Sequence, residues 1–102
     1  MQKPKFSVLI YPLAEEDLNE ILDYLSSFSL MIANSFIEKV SSSLEQLESL
    51  PETHSLVLDK KLREKGYRYI VLDNYLIFYV IVENTVQIRR ILFGRRNYKN
   101  LL

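Results

Sequence analysis

Residues 66–98 read GYRYIVLDNYLIFYVIVENTVQIRRILFGRRNY, and their pattern decides the fold. Three apolar runs, 67–72, 75–82 and 85–93, are separated by the two-residue breaks Asp73-Asn74 and Glu83-Asn84. Val, Ile, Tyr and Phe favour a pleated surface, and Asn and Asp tolerate the positive φ of a tight hairpin turn. The stretch therefore reads as a three-stranded antiparallel meander. A two-residue first turn places Arg68 opposite Tyr79, on one face with Ile70, Leu72 and Ile77. The other face then carries Tyr67, Tyr69, Val71, Leu76, Phe78, Val80 and Val82. Both faces are apolar, so each needs a cover, whereas an antiparallel sheet commonly leaves one face to water.

Upstream of the meander, residues 5–11, KFSVLIY, are short and β-rich, which predicts a strand buried on both faces. Pro12 ends it and suits the first turn of a helix, where Glu15, Glu16 and Asp17 complement the positive end of the helix dipole. A helix over about 13–28 follows, burying Leu18, Ile21, Leu22, Leu25 and Phe28 along one stripe. Ser29 is placed to cap a second helix that runs to about Leu50 and buries Ala33, Phe36, Ile37, Val40, Leu44 and Leu47. So short a break makes the two helices an antiparallel hairpin. Pro51 stops the second helix. Residues 51–66 lack periodicity and read as a long connection with a turn of helix near 59–65.

The chain of 102 residues is sized for one α+β domain with one modest core, in the order β-α-α-β-β-β. With no cysteine it has no disulfide, thiolate nucleophile or Cys-ligated metal, and His54 alone is too little for most zinc sites. No metal or cofactor is expected. No apolar run is long enough to span a bilayer and no signal-peptide pattern opens the sequence, so no membrane partner and a cytoplasmic location are the expectation.

A net charge of zero conceals an asymmetry. Residues 1–50 hold eight acids and three bases, whereas residues 51–102 hold five acids and ten bases. This split suggests a basic working surface backed by an acidic side, or two halves that attract one another across the fold. Glu15, Glu16, Glu20 and Asp23 lie on the outer face of their helix, as solvated charge rather than paired catalytic carboxylates.

Any catalysis would have to use arginine, lysine, tyrosine and carboxylate. Guanidinium groups bind phosphate bidentately and stabilise the added charge of a phosphoryl transition state; tyrosine stacks on a base or moves a proton. An RNA phosphodiester can be cleaved without metal by its own 2′-hydroxyl, given orientation and charge stabilisation. Arg89, Arg90, Arg95, Arg96 and Lys99, interleaved with Phe93 and Tyr98, have a composition suited to this, and Lys60 and Lys61 add basic charge in the connection.

The element order, together with GYRYIVLDNYLIFYVIV and IRRILFGRRNYKNLL, resembles the RelE/ParE superfamily of type II toxin–antitoxin toxins from Lys5 to Leu102. The resemblance implies a growth-inhibiting toxin restrained by a cognate antitoxin. Some members cleave mRNA in the ribosomal A site, while others poison DNA gyrase. Gly94 and Arg96 match a glycine and a catalytic arginine of the ribonuclease members. Leu76 stands where those members carry arginine, and Phe93 where many carry histidine. The basic, aromatic strip favours mRNA on the ribosome as target. Gyrase inhibition, or an inactive antitoxin-binding relative, are the alternatives. On the ribonuclease reading, Arg96 holds the scissile phosphate in a cleft bordered by Arg68 or Arg90, Tyr98 moves a proton, and Arg89, Arg90, Arg95, Lys60, Lys61 and Lys99 bind nucleic acid. An antitoxin segment would cover the second apolar sheet face, unless the C-terminal tail folds back over it.

Overall fold

The computed structural model describes residues 5–102. Its elements are β1 (Ser7–Ile10), α1 (Pro12–Ser26), α2 (Leu30–Leu47), α3 (Lys60–Glu64), β2 (Arg68–Leu72), β3 (Tyr75–Val82) and β4 (Thr85–Phe93), followed by a 3-10 turn at Tyr98–Asn100. One four-stranded sheet has the order β1-β4-β3-β2. The meander is antiparallel, and β1 lies parallel to β4. Arg68 pairs with Tyr79 and Leu72 with Tyr75, as the two-residue turn requires. Each hairpin turn has positive φ at its first central position, Asp73 at 53° and Glu83 at 56°. The predicted strain-tolerant Asn thus occupies the second turn position, and Glu83 takes the left-handed one.

The β3–β4 ladder contains a bulge. Phe78 pairs with Arg90 and Tyr79 with Ile88, which leaves Arg89 without a cross-strand partner. Side chains alternate with period two along a strand, so Ile88 and Ile91, three apart, would otherwise face opposite sides. The extra residue puts both beneath the helices. There they join Val86, Ile70, Ile77 and Tyr79 in a core closed by Ala14 and Ile21 of α1 and Phe36, Val40 and Leu47 of α2.

Ser29 caps α2 by accepting from the Ile32 N–H, and Asp59 caps α3 by accepting from the Leu62 N–H. Gly66, at φ 87°, ends α3 in the left-handed conformation, with Tyr67 N–H donating to the Leu62 carbonyl.

The middle of the second apolar face is covered by the chain itself, while Val71 and Val82 at its margins stay exposed. Val57, Leu62, Tyr67, Phe78, Val80 and Leu92 form a second core, against which Tyr98, Leu101 and Leu102 of the tail pack. The tail, with α3 and its approach, therefore holds the place that an antitoxin segment was expected to fill. This arrangement also separates the charges: acidic α1 lies on one side of the sheet and basic α3 on the other.

Three further expectations are corrected. β1 is an edge strand rather than one buried on both faces, and Leu9 and Ile10 are exposed. α1 stops at Ser26, which leaves Phe28 exposed in the turn, its ring edge-on to Tyr24 at 5.1 Å. Ile37 of α2 also lies outside the core, beside the phase occupied by Phe36 and Val40.

Candidate functional site

Asp17 is the one buried charged residue among those described. It shares a helical phase with Ala14 and Ile21, which carries its carboxylate to the part of β4 that extends beyond the end of β1. There it accepts from Arg90 Nε at 2.7 Å, Arg90 Nη2 at 3.0 Å and the Ile91 N–H at 3.0 Å. Arg90 is on the second sheet face by register, so its side chain reaches round the open edge of β4 to α1. Its Nη1 donates to the Leu101 carbonyl at 3.2 Å, tying the tail to the same clamp. The hydrogen bonds to Asp17 raise the Arg90 guanidinium above its ordinary value, against the opposing effect of burial.

Arg68 is similarly committed. Its Nη1 donates to the carbonyls of His54, at 2.6 Å, and Glu52, at 3.2 Å, while the buried Tyr79 hydroxyl donates to the Pro51 carbonyl at 2.6 Å. Together Arg68 and Tyr79 pin the start of the long connection to the sheet.

Four residue steps along β2 separate Arg68 from the Leu72–Tyr75–Phe93 row, a distance of about 14 Å along the strand. Arg96 lies past that row. Arg68 therefore does not border a cleft with Arg96, being toward the other end of the sheet, whereas Arg90 is engaged by Asp17, which lines a hollow that reaches Arg96.

The remaining candidates are dispersed. Tyr98 stacks tilted on Phe78, with ring centroids 4.9 Å apart. Arg89 lies over the rings of Tyr11 and Tyr67, at 4.9 and 5.9 Å, and donates to Gln87 Oε1. Lys99 sits 3.9 Å from Asp59. Lys60 and Lys61 are exposed on α3, on the tail side of the sheet.

A concave surface missed by the sequence reading occupies the end of the sheet where Arg95 and Arg96 emerge. Its largest part, about 690 Å³, is lined by Tyr24, Leu25, Met31, Ile32 and Phe36 of the helical hairpin and by Tyr75 and Phe93 of the sheet. Lys39 and Asp73 bridge at its rim, 3.1 Å apart. Two smaller hollows share Tyr75 and Phe93 with it. One runs past Leu76 and Gly94 to Arg95, the other past Asp17 and Glu20 to Arg96. The Phe36, Tyr75 and Phe93 rings form an edge-on series at 5.2 and 5.8 Å. Burial raises the Tyr75 hydroxyl above its usual value, with Tyr24 contributing, so it is neutral at physiological pH.

Gly94 fixes where this end of the sheet closes. Its N–H donates to the Asn74 carbonyl at 2.8 Å, and a Cβ there would meet the same oxygen at 3.3 Å. The backbone turn that follows, with Arg96 N–H on the Phe93 carbonyl, sends Arg95 and Arg96 to opposite sides of Phe93. Phe93 is thus the aromatic centre of a groove.

A family model described as the ParE toxin of the type II toxin–antitoxin system parDE matches residues 8–98. The chain belongs to the ParE toxin family. Its role is accordingly that of the toxin in a type II toxin–antitoxin module, on the ParE side of the RelE/ParE superfamily. The ParE fold is repeated in a solved structure described as the chromosomal ParDE toxin–antitoxin system from P. aeruginosa. That structure is 18% identical, with a TM-score of 0.68, over 89% of this chain and 98% of the other. No curated protein is similar enough to this ParE-family chain to match.

Proposed function

We propose that this ParE-family toxin arrests growth by binding DNA gyrase rather than by cutting RNA. The observation that carries the reading is the commitment of the candidate catalytic side chains to the fold. Arg68 holds loop carbonyls, Arg90 holds Asp17 and Leu101, and the Tyr98 ring is packed on Phe78. With Leu76 and Phe93 in place of arginine and histidine, the surface around Arg96 offers apolar and aromatic contact with two flanking charges. Such a surface suits recognition of a protein better than general acid–base chemistry, which needs a proton-transferring group within hydrogen-bond reach.

A cognate antitoxin is the second partner. The turn of the helical hairpin exposes Tyr24, Phe28, Leu30, Met31 and Ile32, continuous with the groove that ends at Phe93. An apolar surface of this kind calls for a cover. An amphipathic antitoxin segment with apolar anchors fits it, and the sheet's tail-covered face is left out of that contact.

Pulse labelling after induction tests the target. Thymidine incorporation should fall before methionine incorporation, and purified toxin should inhibit supercoiling by purified gyrase. Prompt loss of translation with cut mRNA and unaffected gyrase overturns the reading and returns Arg96 to the role of phosphate clamp. Cytoplasmic action follows from either target.

A further inference from the structure

The two edges of the sheet are treated differently. At the β2 edge, Val57 N–H donates to the Tyr67 carbonyl and Tyr69 N–H to the Ser55 carbonyl, so the chain pairs its own segment with the first half of the strand. At the β1 edge only Phe6 is met from outside, its N–H donating to the Glu48 carbonyl beyond α2, and Ser7–Ile10 has no such cover among the described residues. The Ser7 and Tyr11 N–H groups bond inward to the Asn84 and Ile88 carbonyls of the β4 side. Alternation along the strand then turns the N–H and C=O groups of Val8 and Ile10 outward. Ser7–Ile10 contains no charge and no proline, the usual means of blunting an edge, and its Leu9 side chain is 53% exposed.

We infer that the β1 edge is a self-association surface at which two copies of this chain pair antiparallel, β1 to β1. The pattern is self-complementary. The outward-facing residues are two apart, so setting Val8 of one copy against Ile10 of the other satisfies both at once. Each such pair exchanges two hydrogen bonds, and the two-fold axis passes between the Leu9 residues. The same register sets Lys5 of each copy toward the first turn of the other copy's α1, where Glu15 stands. Opposite charges therefore meet on both sides of an uncharged ladder. The product is a continuous eight-stranded sheet, with the hairpin grooves free for partners.

A four-residue ladder buries less than the roughly 800 Å² per partner of a standard interface, so the dimer is weak and concentration-dependent.

Leu9 provides a sharp test because it lies at a non-hydrogen-bonded position on the axis. Cα atoms there are about 4.5 Å apart, within the span of a disulfide. The chain has no cysteine, so Leu9→Cys introduces a single thiol. Under mild oxidation the purified full chain should cross-link through Leu9→Cys at least about tenfold faster than a chain carrying Leu58→Cys, an exposed site away from this edge. In sedimentation velocity, unsubstituted toxin should shift toward dimer as its concentration rises to about 500 µM. Leu9→Lys should weaken that dimer by at least about tenfold through like charges at the axis, while retaining the native circular dichroism spectrum.

Equal cross-linking rates, or a chain that remains monomeric throughout, overturn the inference. So does a dimer indifferent to Leu9→Lys. Should Leu9→Lys instead leave the toxin monomeric as before and weaken antitoxin binding, the edge belongs to a strand of the antitoxin and self-pairing is refuted.

Discussion

Replacing Asp17 by asparagine keeps the shape of the side chain and removes the charge that organises one edge of the sheet. The carboxylate accepts three hydrogen bonds, two of them from the Arg90 guanidinium. The Arg90 and Asp17 side chains are only 15% and 10% exposed. Breaking a buried pair by removing one partner costs about 3–5 kcal/mol, because the surviving charge is left desolvated. Asparagine can still accept from the Ile91 N–H, and water reaches the guanidinium in part, which puts the expected loss near the lower end, about 3 kcal/mol. At roughly 4–8 °C per kcal/mol for a domain of this size, the Tm should fall by about 12–24 °C. Thermal and urea denaturation followed by circular dichroism measure both quantities. The double substitution Asp17→Asn with Arg90→Gln removes the stranded charge and should be less destabilising than the sum of its parts. A loss below about 1 kcal/mol for Asp17→Asn, or strictly additive effects in the double variant, would refute the account of the clamp.

Tyr79 predicts an alkaline stability limit. Burial pushes its hydroxyl up to about 12, only partly offset by Arg68, while the unfolded chain releases the same proton near pH 10. The stabilisation is fully present below pH 10 and is lost as pH rises toward 12, amounting to about 2–3 kcal/mol. Tyr79→Phe should flatten this part of the pH–stability curve, at a cost of about 1–2 kcal/mol near neutrality for the unpaired Pro51 carbonyl. Arg96→Ala should reduce toxicity while moving the Tm by less than about 2 °C, since Arg96 is exposed and has no ion-pair partner among the described residues. Retained toxicity in a growth assay would remove Arg96 from the target surface. Met31→Lys, at a position 80% exposed beside the groove, should weaken antitoxin binding by at least about tenfold in calorimetry and leave folding intact. Unchanged affinity would place the antitoxin elsewhere.

The sequence by itself determined the elements and most of the register. Runs of β-branched and aromatic residues broken by two-residue turns allow one meander pairing, and a one-residue slip would expose an entire apolar face. Helical spacing likewise located both helices, and Ser29 announced the start of α2. Two signals were present but lay outside a simple periodic reading. Ile88 and Ile91 break the period of two and mark the bulge, and Asp17 falls in the buried phase of Ala14 and Ile21. Their meaning came from tertiary structure, because a carboxylate is buried only where donors meet it, and its donors are more than 70 residues away. The same holds for the arginines. The ribonuclease reading grouped Arg68, Arg90 and Arg96 around one cleft; the fold commits the first two to carbonyls and a carboxylate and leaves the third at the groove. Which apolar face the tail would cover, and which edge would stay open, was also decided only by packing, since local pattern records that a surface is apolar and carries no information on what reaches it.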